Sequence, residues 1–180
     1  MEKYTALKER ANKYKDILDQ VMDFREAWGK KLKKYILDSV DKVLKQTGVE
    51  AYVEVEEQFE NLQTISMHLG KSVSGIAETF ESGAKRSIIK DMGSLNYSQI
   101  FNGKIQVWMT FPLIEGLMQP QPPKMIGIYT PPEFNEDLFL SNFDEFFKEL
   151  INWENYDDDV PSQQLNKIGF GIAQPSKKES

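Results

Sequence analysis

The fold is decided by residues 97–108, YSQIFNGKIQVW, which carry the strongest short-range signal for a β-hairpin. Asn102-Gly103 tolerates the positive φ angles of a two-residue hairpin turn, and side chains that suit β-strands flank it. Pairing outward from this turn places Ile100 opposite Ile105 and Ser98 opposite Val107. The other face of the hairpin is then predicted to carry Phe101, Tyr97, Trp108, Gln99 and Gln106.

Upstream of this hairpin, the sequence between Val49 and His68 alternates with a period of two. Such alternation is typical of strands with one buried face. A turn near Asn61 would place Val55 opposite Met67 and His68 opposite Glu54. Further strands are predicted at 84–92 and 124–130, and the connections fit hairpins or loops. Residues 49–130 are therefore predicted to form an antiparallel sheet of about five strands.

Before the sheet, apolar residues recur at steps of three and four over residues 3–46, which predicts an amphipathic helix. An unbroken helix of this length would extend about 65 Å, more than the width of a domain of this size. Two alternatives follow. The helix breaks near Gly29 and packs on its own sheet, or part of it projects and pairs with another molecule. The second alternative is favoured by apolar residues at heptad spacing, namely Leu7, Ala11, Tyr14, Leu18 and Val21. Arg25 interrupts the seam that these residues form.

A second helix is predicted after the sheet, at residues 135–154. Thr130 and Glu133 have the spacing of a capping box, and Asn135 is an alternative cap. A stripe of apolar side chains marks the face that this helix buries: Phe139, Phe143, Phe146, Phe147 and Leu150. Residues 161–180 are polar and are expected to form a mobile tail.

The predicted fold class is α+β, with a long N-terminal helical segment, an antiparallel sheet and a C-terminal helix on one sheet face. Residues 1–160 are expected to form one domain, which is 1–47 helical, 49–130 sheet and 135–154 helix. With 180 residues and 40% hydrophobic content, the chain is long and apolar enough to bury a core.

Charge is distributed unevenly along the chain. Residues 1–47 hold twelve Lys and Arg against eight Asp and Glu, whereas residues 48–180 hold ten against twenty. The acidic body argues against nucleic-acid binding. The four lysines at positions 30, 31, 33 and 34 raise that possibility again, but a solvated helix face explains them better. No apolar run is long enough for a membrane span, and the expected location is cytoplasmic.

Motifs of known chemistry are missing from the sequence. Without cysteine the chain has no thiolate nucleophile and no cysteine-ligated metal. Its single histidine, His68, could act with Glu54 or Glu56 as a base or a weak metal ligand, but a surface pair without function is the preferred interpretation. We therefore expect no enzyme activity, no cofactor and no metal.

Two helical segments can cover one face of a five-stranded sheet, and the other face is then either open for binding or wrapped by part of the long N-terminal region. That face is predicted to carry large side chains among polar ones, and it is our candidate partner-binding surface: Tyr52, His68, Tyr97, Phe101 and Trp108. The favoured function is a non-catalytic cytosolic interaction or adaptor protein, with a second copy or another protein as partner. The alternative is a carrier of small apolar ligands, with a cavity between the sheet and the C-terminal helix.

Overall fold

A computed structural model describes residues 2–156 of the chain. The helices are α1 (Thr5–Ala27), α2 (Lys33–Thr47) and α3 (Glu136–Glu154), and a π-helical turn (Trp28–Leu32) joins the first two. The strands are β1 (Tyr52–Glu56), β2 (Thr64–His68), β3 (Lys71–Thr79), β4 (Lys85–Asp91), β5 (Ser94–Gln99), β6 (Ile105–Thr110), β7 (Leu113–Ile114) and β8 (Lys124–Tyr129). The predicted tail at 161–180 lies outside the described residues.

The main sheet has five strands in the order β1-β2-β5-β6-β8, and every neighbouring pair is antiparallel. This architecture confirms the predicted α+β fold. A second sheet, β3-β4-β7, was not predicted. Its strand β3 is exposed along nearly its whole length and contains Gly75, so its sequence lacks the alternation that a buried face produces.

The first predicted register is wrong by two residues. Val53 lies opposite Met67 and Val55 lies opposite Ile65, so His68 faces Tyr52 rather than Glu54. A shift of two residues keeps each side chain on its own face of the sheet. The apolar face predicted for this hairpin is therefore unchanged.

The second predicted register is wrong by one residue. The Ile100 amide donates to the Lys104 carbonyl at 2.9 Å, so three residues, Phe101 to Gly103, form the loop in place of two. Gly103 alone within it has a positive φ, +75°, as expected for a loop that ends in a G1 bulge. Since a one-residue slip exchanges the two faces of a strand, Tyr97 lies opposite Val107 on the core face.

The core lies between the main sheet and the two helices α2 and α3. Tyr97 is fully buried there and stacks on Phe139, with ring centroids 5.4 Å apart. Because Phe139 belongs to α3, this contact confirms the predicted packing of the C-terminal helix on one sheet face. Burial also raises the pKa of the Tyr97 hydroxyl. The core also contains Ile36, Val40, Ile65, Met67, Leu95, Ile105, Val107, Met109, Phe143 and Phe146.

Both caps predicted near α3 are present. The Thr130 amide and hydroxyl donate to the Glu133 carboxylate at 2.6 and 2.7 Å, and this box begins a short 3₁₀ turn. The Asn135 side chain then accepts from the Leu138 amide at 2.9 Å and caps α3 itself.

The N-terminal helix does not break at Gly29. Helix α1 continues through the π-helical turn into α2, and Trp28, Leu32 and Ile36, spaced four apart, are all buried on the side that faces the domain. Helix α2 packs on the sheet. All residues from Thr5 to Gln20 are exposed, so most of α1 projects from the domain. The predicted break is therefore absent, α2 packs on the sheet as the first alternative expects, and α1 projects as the second expects, while pairing with another molecule stays a prediction.

Candidate interaction surfaces

The open face of the main sheet carries three of the five predicted partner-binding residues. Tyr52 stacks on His68 with centroids 5.0 Å apart, and the Nε2 atom of His68 lies 3.6 Å from the Glu54 carboxylate. Trp108 lies on the same face but on β6, two strands beyond His68, and is opposite Asn96. The three aromatic side chains therefore occupy two separate sites.

Between these sites the open face is polar. The Trp108 indole donates to the Ser98 hydroxyl at 2.9 Å, and that hydroxyl accepts from Thr64 at 3.0 Å. Asn96 is buried, and its amide donates to the Ser94 hydroxyl at 2.9 Å. Hydroxyl and amide groups that bind one another give this surface little apolar area for a large interface.

The other two predicted residues lie elsewhere. Tyr97 is in the core, so its predicted position on the open face is wrong. Phe101 lies in the β5–β6 loop, where it is 73% exposed. Its carbonyl accepts from the Arg25 guanidinium at 2.7 Å, which ties this loop to α1.

The projecting part of α1 carries several exposed apolar side chains along one face. Its exposed side chains follow the predicted heptad and one flanking position: Leu7, Tyr14, Ile17 and Leu18. This stripe continues along the helix to Phe24 and Trp28, which are buried against the domain. One face of the helix is thus covered by the domain near Phe24 and uncovered further out.

Charge changes sign along α1. Residues 3–15 hold five Lys and Arg and one Glu, whereas residues 16–26 hold four Asp and Glu and one Arg. Summing residues 1–47 as a single basic segment conceals this change. The change of sign becomes visible in the sequence when charges are counted over about twelve residues at a time.

A second exposed apolar surface lies on the β3–β4 hairpin, and sequence reasoning did not find it. Val73, Ile76 and Phe80 are exposed there, and the Arg86 guanidinium lies 6.0 Å from the Phe80 ring centroid. Since the sequence predicted only β4, no signal placed these side chains together.

The basic cluster is largely neutralised by neighbouring carboxylates. Lys30 pairs with Glu26 at 2.5 Å, Lys34 pairs with Asp38 at 2.6 Å, and Lys33 pairs with Glu57. Each of these three cations has a carboxylate within contact, which reduces the attraction of the cluster for phosphate groups.

An apolar groove of about 660 Å³ lies where the ends of α2, β2 and α3 meet. The groove is lined mainly by Val49, Leu69, Met92, Phe147, Leu150 and Ile151.

Among residues 2–156, no helix is long and apolar enough to cross a membrane. The same residues contain no group of three His, Asp or Glu side chains that could hold a metal ion.

Comparisons of the chain with protein-family models, curated proteins and solved structures gave no match.

Proposed function

We propose that this is a non-catalytic cytosolic protein-interaction protein that self-associates through the projecting part of α1. The observation that carries the proposal is the exposure of the whole segment from Thr5 to Gln20, although it bears an apolar stripe at heptad spacing. An isolated helix of this length is marginal in water, and burial of its apolar face supplies the missing stability. A second copy of the same stripe is the occupant with matching spacing and length.

Charge complementarity favours an antiparallel pair. In a parallel pair, the basic residues 3–15 of the two copies would lie side by side, and so would the acidic residues 16–26. An antiparallel pair confined to the exposed segment places residues 16–20 of one copy next to residues 5–9 of the other, so the Lys8 side chains of the two copies lie apart. Such an arrangement has two-fold symmetry, the commonest symmetry of soluble oligomers.

Sedimentation velocity over a range of protein concentrations tests this proposal. The double variant L7S/L18S removes two exposed apolar side chains from the stripe, and we expect it to remain monomeric where the wild type dimerises. The matched control is E9S/K13S, which introduces the same residue type on the opposite side of the helix and leaves the net charge unchanged. Because Leu, Glu and Lys have similar helix propensities, a difference between the two variants reports on the stripe and not on helix propensity.

The sheet face provides the competing outcome. If Trp108→Ala abolishes dimerisation while L7S/L18S dimerises as the wild type does, the interface lies on the sheet and the helix proposal is wrong. A wild type that remains monomeric at high concentration would refute self-association by either surface.

The apolar groove supports a second candidate function, a carrier of small apolar ligands. Its volume of about 660 Å³ falls in the range of small-molecule sites, and its lining is predominantly aliphatic and aromatic. Native mass spectrometry of the purified protein tests this function. A carrier is expected to retain a bound molecule, and Ile151→Glu in the groove wall is expected to release it.

A further inference from the structure

A second cavity, of about 480 Å³, lies beside the π-helical turn and differs in character from the apolar groove. π-helical turns are rare and occur frequently at functional sites, because the extra residue changes the direction of the side chains around it. Its lining includes polar and aromatic side chains from α1, the π-helical turn, the start of α2, the loop after β1 and the end of β5: Arg25, Trp28, Lys33, Asn61, Gln63 and Gln99.

Gln99 contributes a buried amide without a partner. Its side chain is 3% exposed, and among residues 2–156 neither its Nε2 nor its Oε1 atom has a hydrogen-bond partner. Gln99 lies on the core face of β5 opposite Ile105, where an apolar side chain would satisfy the packing. A buried amide with both of its groups unpaired destabilises a fold, and Gln99 is one of the residues that line this cavity.

Arg25 adds an unpaired donor to the same cavity. Its Nη2 atom is used by the Phe101 carbonyl at 2.7 Å, while its Nε–H is buried and has no acceptor among residues 2–156. None of the ion pairs within residues 2–156 includes Arg25. A guanidinium with a free Nε–H is well suited to a carboxylate.

Hydrogen bonds hold the surrounding wall in place. The buried Trp28 indole donates to the Gln63 side-chain oxygen at 2.9 Å, and Lys33 reaches the same oxygen at 3.4 Å. Asn61 has a φ of +61°, which fixes the loop that closes this side. Lys30 pairs with Glu26 and Lys33 pairs with Glu57, so Arg25 is the lining cation that has no carboxylate partner among residues 2–156.

We propose that this cavity binds a small carboxylate that also carries an O–H or N–H donor next to the carboxyl group. The carboxylate would accept from the Arg25 Nε–H and the Gln99 amide N–H, and the neighbouring donor would pair with the Gln99 Oε1 atom. This assignment uses each of the unpaired groups once, and it is independent of the proposed self-association through α1.

Isothermal titration calorimetry with three matched acids tests the proposal. Malate and L-aspartate carry a hydroxyl and an ammonium group at the position where succinate has only hydrogen. We expect malate or aspartate to bind about tenfold more tightly than succinate, which corresponds to one additional hydrogen bond to a buried group. Inorganic phosphate is the control for a site that responds to negative charge alone.

Gln99→Met provides the matching change in the protein. This variant keeps the side-chain volume and removes the unpaired amide, so its Tm without ligand is expected to rise by a few degrees. The preference for malate or aspartate over succinate is expected to disappear. Gln106→Met, on the other face of the neighbouring strand, is the control and should keep both the wild-type Tm and the preference.

Three results would overturn the proposal. The first is the absence of binding by all three acids at millimolar concentrations. The second is equal binding of succinate, phosphate and the donor-bearing acids. The third is a preference that Gln99→Met retains, since the acid would then bind at another place on the protein.

Discussion

Gly103 lies against Phe24 so closely that a Cβ atom added to the glycine would be 2.7 Å from the Phe24 Cβ and 2.9 Å from the Arg25 amide nitrogen. The β5–β6 loop therefore meets the backbone of α1 directly. This contact and the hydrogen bond from Arg25 to Phe101 fix the point from which α1 projects.

Gly103→Ala is expected to destabilise the protein by about 3 kcal/mol, because the methyl group meets helix backbone and the positive φ disfavours alanine. Gly116→Ala is the matched control, since Gly116 has a φ of +78° and nothing within 4 Å of its added Cβ. The control should lose only the conformational part, about 1 kcal/mol. Urea denaturation measures both values, and an equal loss in the two variants would show that the loop does not press on α1.

The buried hydroxyl of Tyr97 predicts a stabilising substitution. This oxygen makes no hydrogen bond of normal geometry within the described residues; burial has the larger effect on the pKa of the phenol and raises it, while the Asn142 side chain lowers it. Tyr97→Phe should therefore raise the free energy of unfolding by about 1 kcal/mol, while Tyr97→Ala should lower it by about 4 kcal/mol. Thermal denaturation distinguishes this core position from the predicted exposed one, at which both changes would have little effect.

Helix α3 shows what the sequence alone was sufficient to predict. Its apolar stripe from Phe139 to Leu150 and its cap at Asn135 lie within one short segment, so local spacing determined both its position and its buried face. The strands of the main sheet were found for the same reason. Each contains its own alternation or turn signal.

The position of Tyr97 could not be predicted in this way. Asn102-Gly103 is compatible with a two-residue and with a three-residue loop, and the choice between them decides which face Tyr97 occupies. In the folded protein, the loop that forms also lies against α1, which is some eighty residues earlier in the sequence. The polar cavity shows the same limit, because Arg25, Asn61 and Gln99 come together only through the tertiary fold.

Lys124 links β8 to α3 and predicts a pH dependence. Its ammonium group donates to Glu145 at 2.5 Å and to Glu149 at 2.8 Å. The first of these bonds lowers the pKa of Glu145 below its ordinary value of 4.5. The contribution of this ion pair to the free energy of unfolding is therefore complete above pH 4.5. It is lost as the pH falls through the lower pKa that Glu145 has in the folded protein.

Lys124→Met should accordingly lower the free energy of unfolding by about 1 kcal/mol near pH 7, since all three groups are partly exposed. The difference in the free energy of unfolding between this variant and the wild type should shrink as the pH falls below the pKa that the carboxylates have in the unfolded chain. Lys85→Met removes an exposed lysine of β4 that forms no ion pair among residues 2–156 and is the control for net charge. A difference between wild type and Lys124→Met that stays constant down to pH 2 would show that the lost contribution is packing and not the ion pair.

The orientation of the proposed α1 pair can be tested by disulfide formation, because the natural chain has no cysteine. The exposed part of α1 runs from Thr5 to Gln20, so an antiparallel pair centred on it places Leu7 of one copy opposite Leu18 of the other. An equimolar mixture of Leu7→Cys and Leu18→Cys should therefore give the mixed disulfide on oxidation. Each variant alone should give little product, since eleven residues separate its two cysteines by about 16 Å along the helix axis. A parallel pair would produce the opposite pattern, in which each variant forms a disulfide with itself, and the charge argument for antiparallel pairing would then be wrong.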